Sequence, residues 1–178
     1  IPDDPEKLVL FSESDRINNS TNLIKKIRLS NKKKDLMRSM ELLIIDEVSM
    51  VRPDVLDAMD AVLRFVRRNS FQPFGGVQVL YIGDLFQLPP VMPEDHWEIL
   101  HPYYESWFFF EAKAIRQAPP LYIELKKIYR QSDPLFIEVL NRVRNNSVSQ
   151  DDLQLLNERF HPLFKPSADD PYIVLTSH

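Results

Sequence analysis

Two adjacent carboxylates, Asp46 and Glu47, close the apolar run Leu42-Leu43-Ile44-Ile45. Four uninterrupted aliphatic residues suit a strand buried on both faces of a parallel sheet. The acids would then emerge at the strand's carboxyl end, where open α/β sheets bind their ligands. An aspartate placed there can hold a magnesium ion, and its glutamate neighbour can orient or deprotonate a water. A second apolar run, Val77 to Ile82, ends in Gly83-Asp84-Leu85-Phe86-Gln87. Gln87 would be presented at the same sheet edge, where its amide N–H can hydrogen-bond the terminal phosphate of a nucleotide. Taken singly, the first stretch also fits a core strand running into an acidic turn, and the second any structured loop.

Composition bounds what those residues can belong to. With 178 residues, 44% apolar and 27% charged, the chain has the make-up of a soluble globular protein of one domain, or one domain and part of another. A net charge of −4 lacks the basic footprint of a typical nucleic-acid binder but leaves room for a local basic groove. The absence of cysteine removes disulfides, thiolate zinc sites and cysteine nucleophiles. No apolar run reaches membrane-spanning length and no signal peptide opens the sequence, so a cytosolic protein without membrane contact is expected. The only glycines are Gly75, Gly76 and Gly83. A phosphate-cradling loop needs several, and no G-x-x-x-x-G-K-[ST] occurs. With Ile1 rather than methionine at its start, the sequence is expected to be a fragment.

The elements that would position these groups alternate between strand and helix. Residues 1–22 are polar and read as a surface segment. Residues 23–40 predict two short helical pieces broken around Ser30-Asn31. Strand 42–46 follows, then a helix from Asp54 to Arg68 whose Val55, Leu56, Met59, Val62, Leu63 and Val66 form one apolar stripe. Pro53 suits its first turn. Val77–Ile82 is the second buried strand and Leu121–Leu125 a third. Ser132 is placed to cap a helix over 133–144, and Ser149 to Asp152 has capping-box spacing ahead of a helix reaching Phe160. Tyr172–Leu175 reads as a closing strand. The alternation argues for a parallel α/β sheet flanked by helices.

Asp46-Glu47-Val48-Ser49-Met50, paired with Gly83-Asp84-Leu85-Phe86-Gln87-Leu88-Pro89-Pro90-Val91, closely resembles the Walker B motif and motif III of superfamily 1 DNA helicases. More narrowly, it resembles the Pif-one branch of superfamily 1B, which is related to RecD. Ser49-Met50-Val51 leading into the Asp54–Asn69 helix, then Pro73-Phe74-Gly75-Gly76-Val77-Gln78, is similar to that family's signature region. Tyr129-Arg130-Gln131, with Asp133, Phe136, Leu140, Asn141 and Arg144, resembles motif IV and the helix after it. The likeness covers roughly residues 30–178.

This resemblance implies a partial RecA-like sheet, a P-loop NTPase fold without its P-loop, over residues 1–126. Residues 127–178 would begin a second RecA-like domain. It implies an ATP-dependent helicase that uses magnesium and ATP to move 5′-to-3′ on single-stranded DNA and to unwind duplex. Asp46 would ligate the magnesium, directly or through water. Glu47 would act as general base, and Gln87 would sense the terminal phosphate. Arg130 would stabilise charge on the transferring phosphoryl group. Its plain alternative is a surface arginine paired with an acid such as Asp133. Ser49 could bond back to the acidic pair or cap the next turn, and Met50 reads as packing. Asp84 could support the magnesium or satisfy the loop backbone.

The family's Walker A loop would lie before Ile1 and its later motifs beyond His178, so the chain alone is expected to be inactive. Of the basic clusters, Arg67 and Arg68 near Phe74 are the candidate DNA contacts, since single strands are held by cations and aromatic platforms together. Trp107 to Phe110 reads as core or an interdomain wedge. Two rivals stand beside the helicase reading: a non-catalytic DNA- or protein-binding scaffold of the same fold, and an ATPase that remodels something other than DNA. The family analogy points to DNA repair, recombination and telomere maintenance. It places the parent in a bacterial cytoplasm, or in the nucleus or mitochondria of a eukaryote.

Overall fold

The computed structural model describes residues 8–9, 17–18, 27–165 and 173. The chain divides into two compact units, Ile1–Ile123 and Glu124–His178. The first opens with a short antiparallel pair, β1 (Leu8–Val9) and β2 (Ile17–Asn18), in the segment read as irregular surface. The second helical piece expected before the acid pair is present as α1 (Asn31–Ser39), whose first turn is capped by the Ser30 hydroxyl accepting from the Lys33 N–H. Leu23 and Ile24, which were to form the other piece, lie outside the described residues.

Strands β3 (Leu42–Ile45) and β4 (Gln78–Tyr81) pair in parallel, with Leu43 opposite Val79 and Ile45 opposite Tyr81. The ladder is extended at its carboxyl end by the Ile82 N–H donating to the Ile45 carbonyl at 2.9 Å. Period-two alternation sends Leu43, Ile45, Val79 and Tyr81 to one face, where they meet the core. The other face differs from expectation. Leu42, Ile44, Leu80 and Ile82 are exposed, Ile44 by 55%. An apolar run alone cannot say whether a second layer covers it, and among the described residues none does.

Between the strands runs α2 (Pro53–Arg67). Proline at its first position, Asp54 in the first turn and Arg64 and Arg67 in the last agree with the helix dipole. Leu56, Leu63 and Val66 of the expected stripe are buried, whereas Met59 is exposed. Three aspartates share the buried face: Asp54, Asp57 and Asp60. Leu56 and Leu63 pack with Ile45, Val48, Phe74, Val77 and Ile115 into the core. The unit continues with α3 (Glu94–Leu100) and the short α4 (Lys113–Gln117).

Leu121–Leu125 is not a strand. It is exposed and follows Pro119-Pro120 with no ladder partner among the described residues, so β propensity has nothing to pair with.

The second unit contains α5 (Pro134–Arg144) and α6 (Gln150–Asn157). The cap of α5 is Asp133 rather than Ser132, its carboxylate accepting from the Leu135 and Phe136 N–H groups. The capping box of α6 forms as read, with Asp152 in the place of the usual glutamate. Its helix stops at Asn157, short of Phe160. Val139 is fully buried, and Arg142 is ion-paired with Asp152 and Glu138. The expected strand Tyr172–Leu175 lies outside the described residues except for Ile173. No helix among the described residues is long and apolar enough to cross a membrane.

Candidate active site at the sheet edge

The chain reverses sharply where β3 ends. Glu47 adopts a left-handed backbone, φ 51 and ψ 42, at a cost of roughly 1–2 kcal/mol for a residue with a side chain. Its N–H donates to the Asp46 carboxylate at 2.9 Å, and a 3-10 turn over Val48–Met50 follows. Both acidic side chains are exposed. Among the described residues the Glu47 carboxylate and the second Asp46 oxygen have no partner. Residues held in such regions cluster at active sites and switch regions, although Arg68, Phe74 and Asn146 share this backbone.

The end of β4 lies against that reversal. The Val48 N–H donates to the Ile82 carbonyl at 2.9 Å. A Cβ built on Gly83 would fall 3.0 Å from the Val48 amide nitrogen and 3.1 Å from that of Ser49. Glycine therefore suits this close approach of two backbones, where any side chain would be tight. Asp84 then organises the loop. Its carboxylate accepts from the Phe86 N–H at 3.1 Å and from the Gln87 side-chain N–H at 3.0 Å, while its carbonyl accepts from the Gln87 backbone N–H. Asp84 thus satisfies the loop, one of the two roles open to it. The acid pair follows the carboxyl end of β3 and the Asp84–Gln87 turn that of β4, its parallel partner.

The supporting residues were not legible as such. Arg52 is buried and grips Asp54 with two parallel hydrogen bonds of 2.9 and 2.8 Å, and its remaining Nη1 meets His96 Nδ1 at 3.0 Å. Asp57 is fully buried and accepts from the Tyr104 hydroxyl and the Lys113 and Ala114 N–H groups. Burial, then Asp57, pushes the Tyr104 phenol up. Burial also pushes the Asp60 carboxyl up, against the pull of Arg64 and the Phe74 N–H, and raises Tyr81 to about 12. Aspartates three apart on an apolar helix stripe were the available signal. Among the described residues Ser49 neither bonds to the acidic pair nor caps a turn: its buried hydroxyl has no hydrogen-bond partner there. Met50, read as packing, is 45% exposed.

The candidate DNA contacts separate into two kinds. Phe74 is 3% exposed with its ring edge-on to Tyr81, so its face is not offered to a base. The Arg67 guanidinium donates to the carbonyls of Gly75, Met37, Arg38 and Met40, which binds α2 to the end of α1. Arg68 is exposed and lines a cavity of about 820 Å³ with Lys34, Arg38, Arg64 and Lys113. Arg130 belongs to the second unit and is exposed. It has no ion-pair partner among the described residues, and Asp133 is occupied as a helix cap.

The donor set at the edge suits magnesium. That ion is commonly held by one or two carboxylates together with phosphate oxygens and water. A single exposed aspartate with a spare oxygen meets that need without the three-ligand cluster that is absent among the described residues.

Residues 14–152 match the family model described as PIF1-like helicase, well over half of the chain. The chain belongs to that family. It is 35% identical over 152 residues to the ATP-dependent DNA helicase PIF1 of Saccharomyces cerevisiae, covering 85% of this chain and 16% of that one. Against PIF1 of Emericella nidulans it is 38% identical over 141 residues, covering 79% and 18%. Among solved structures it is similar to a Bacteroides Pif1 helicase in complex with ADP-AlF3 and ssDNA, with TM-score 0.75 and 46% identity, covering 89% of this chain and 35% of that one. A Bacteroides Pif1 bound to ssDNA gives TM-score 0.72 and 48% identity, covering 83% and 32%. The PIF1-like fold is RecA-like α/β, in agreement with the parallel pair flanked by helices. The chain spans under a fifth of the length of these two curated relatives.

Proposed function

We propose that this PIF1-like sequence forms the hydrolytic edge of an ATP-dependent DNA helicase that moves 5′-to-3′ on single-stranded DNA and unwinds duplex. One observation carries the proposal: the strained Asp46-Glu47 turn and the Gln87 loop meet backbone to backbone at Gly83 on a single sheet edge. Relatives named as ATP-dependent DNA helicases, and Pif1 structures with ADP-AlF3 and ssDNA, support it.

In this reading Asp46 holds magnesium through its spare oxygen, and the ion would supply charge neutralisation at the phosphates. Glu47, unpaired and solvent-facing, takes the proton of the attacking water. Asp84 orients the Gln87 amide, and Gln87 reports on the terminal phosphate. Arg130, carried on the second unit, stabilises the transferring phosphoryl group. A finger arginine is worth about 10³–10⁵ in turnover, or roughly 4–7 kcal/mol of barrier. The two units are the RecA-like domain after its P-loop and the opening of the next. Strain at a carboxylate with no structural partner weighs against a non-catalytic scaffold.

DNA contact falls to Arg68 rather than to Arg67 or Phe74. The chain by itself binds magnesium-ATP weakly and does not turn it over, because its sequence contains no P-loop lysine. Calorimetry showing micromolar affinity for the 178-residue chain would overturn that last point. The parent acts in DNA repair, recombination or telomere maintenance, in a bacterial cytoplasm or a eukaryotic nucleus or mitochondrion.

The test is ATP hydrolysis by a protein carrying this sequence together with its phosphate-binding loop, with and without single-stranded DNA. Gln87→Ala should retain ATP binding and lose the stimulation by DNA. Full stimulation in that variant would remove Gln87 from the mechanism.

A further inference from the structure

The Gln87 loop, residues 84–93, is mostly exposed, with Pro90 buried near its far end. Leu85, Phe86, Leu88 and Val91 are all exposed, with Phe86 at 72%. Its internal order comes from the Asp84 turn, and its two ends contribute to its placement. The first fastening is Gly83 against Val48 and Ser49. The second lies beyond the loop, on α3.

We infer that His96 is a positioning residue: it pins the far end of the Gln87 loop to the segment that carries Glu47. Arg52 follows the acidic turn directly, and Asp54 fixes its guanidinium from two sides in a buried pair. That leaves Nη1 aimed at His96 Nδ1, 3.0 Å away. Arginine has only donors. His96 must therefore present a lone pair at Nδ1 and carry its proton on Nε2. The contact exists only for neutral imidazole. A protonated ring has no acceptor and would set a second cation against Arg52.

Arg52 and Asp54 face His96 from the start of α2, and Tyr104 and Asp57 stand behind that pair. Glu94, Asp95, Glu98 and His101 share or adjoin its own helix. The Asp54 oxygens are engaged by Arg52, so the nearest fixed charge to an added proton is the guanidinium. With both fastenings in place, Glu47 and Gln87 move as one body. With His96 released, Gly83, the buried Pro90 and the packing of Leu100 remain, and the hydrogen bond that ties α3 to Arg52 is lost. The consequence for phosphate sensing rests on the role proposed for Gln87; the fastening itself does not.

Amide hydrogen exchange on the 178-residue chain, without nucleotide, tests the fastening. The Phe86, Gln87 and Trp97 amides, which donate within the Asp84 turn and to the Pro93 carbonyl, are the reporters. Their protection factors should fall about tenfold as pH drops from about 8 to about 5. His96→Gln keeps a neutral acceptor and should stay protected at both values, and His96→Leu should be unprotected at both. His101→Gln, altering the ring that packs on Trp97, should respond as the unaltered chain does. Protection in His96→Leu equal to that of the unaltered chain, or a pH response surviving in His96→Gln, would overturn the inference. In the longer, hydrolysing protein His96→Leu should lower kcat with KM for ATP unchanged. An unchanged kcat beside lost protection would overturn the Gln87 reading and leave the fastening intact.

Discussion

Gly83 and Val48 approach so closely that a methyl group on Gly83 would fall 3.0 Å from both the Val48 amide nitrogen and its Cγ1. The backbone of Gly83 is not left-handed, so the constraint is steric and not conformational. Gly83→Ala should push the two sheet-edge segments slightly apart, because one of the two nearest atoms, the Val48 amide nitrogen, is backbone and cannot swing away. We expect about 1–3 kcal/mol of destabilisation, the usual range for overpacking, measured by urea unfolding. In a hydrolysing protein, kcat should fall more than ATP affinity.

Glu47 should trade stability for chemistry. Its left-handed backbone costs roughly 1–2 kcal/mol that glycine would not incur, less the greater chain entropy that glycine brings. Glu47→Gly should therefore raise the unfolding free energy by up to about 1 kcal/mol while removing the base. A loss of stability in urea titration would show that the acidic side chain supports the fold.

Arg67 and Arg68 should separate cleanly although they are adjacent. Arg67→Lys replaces a planar fork by one ammonium that cannot reach four carbonyls, and about 2 kcal/mol of stability should be lost. Arg68→Ala should leave stability within about 0.5 kcal/mol. In a DNA-binding assay on the longer protein, Arg68→Ala should flatten the salt dependence by about one phosphate contact. The reverse pattern, with Arg67 controlling the salt slope, would reassign the two.

These two arginines also mark what a sequence reveals. The β3 and β4 runs, the α2 stripe and the Ser149–Asp152 box were legible because each is a local pattern. The positions of the acid pair and the Gln87 loop beyond β3 and β4 were legible because each follows an apolar run. The uses of Arg67, Asp57 and Arg52 were not. Apart from Gly75 for Arg67 and Asp54 for Arg52, their partners stand 27 to 30, 47 to 57 and 44 residues away, a pairing no periodicity encodes. Phe74 resembled a platform because its burial is set by α2 and β4 closing over it. Leu121–Leu125 had strand composition without a strand to join.

Acid should weaken the second unit in a direction that follows from Asp152. Arg142 first, then the Ser149 N–H, hold this carboxyl well below the usual carboxylate range. Its folded value is depressed, so its contribution is complete above the unfolded value near 4 and is lost as pH falls below that toward the folded value. Circular dichroism of the 178-residue chain should show this acid loss of helix shrink in Asp152→Asn. An identical acid profile in that variant would remove Asp152 as its source.

The most direct test of the sheet-edge chemistry is single-turnover ATP hydrolysis by Glu47→Gln, in a protein carrying this sequence with its phosphate-binding loop. ATP binding should persist while the hydrolysis rate falls by about 10²–10⁴, the usual worth of a positioned base. Hydrolysis at the unaltered rate with Gln at this position would contradict the assignment of Glu47 and the site built around it.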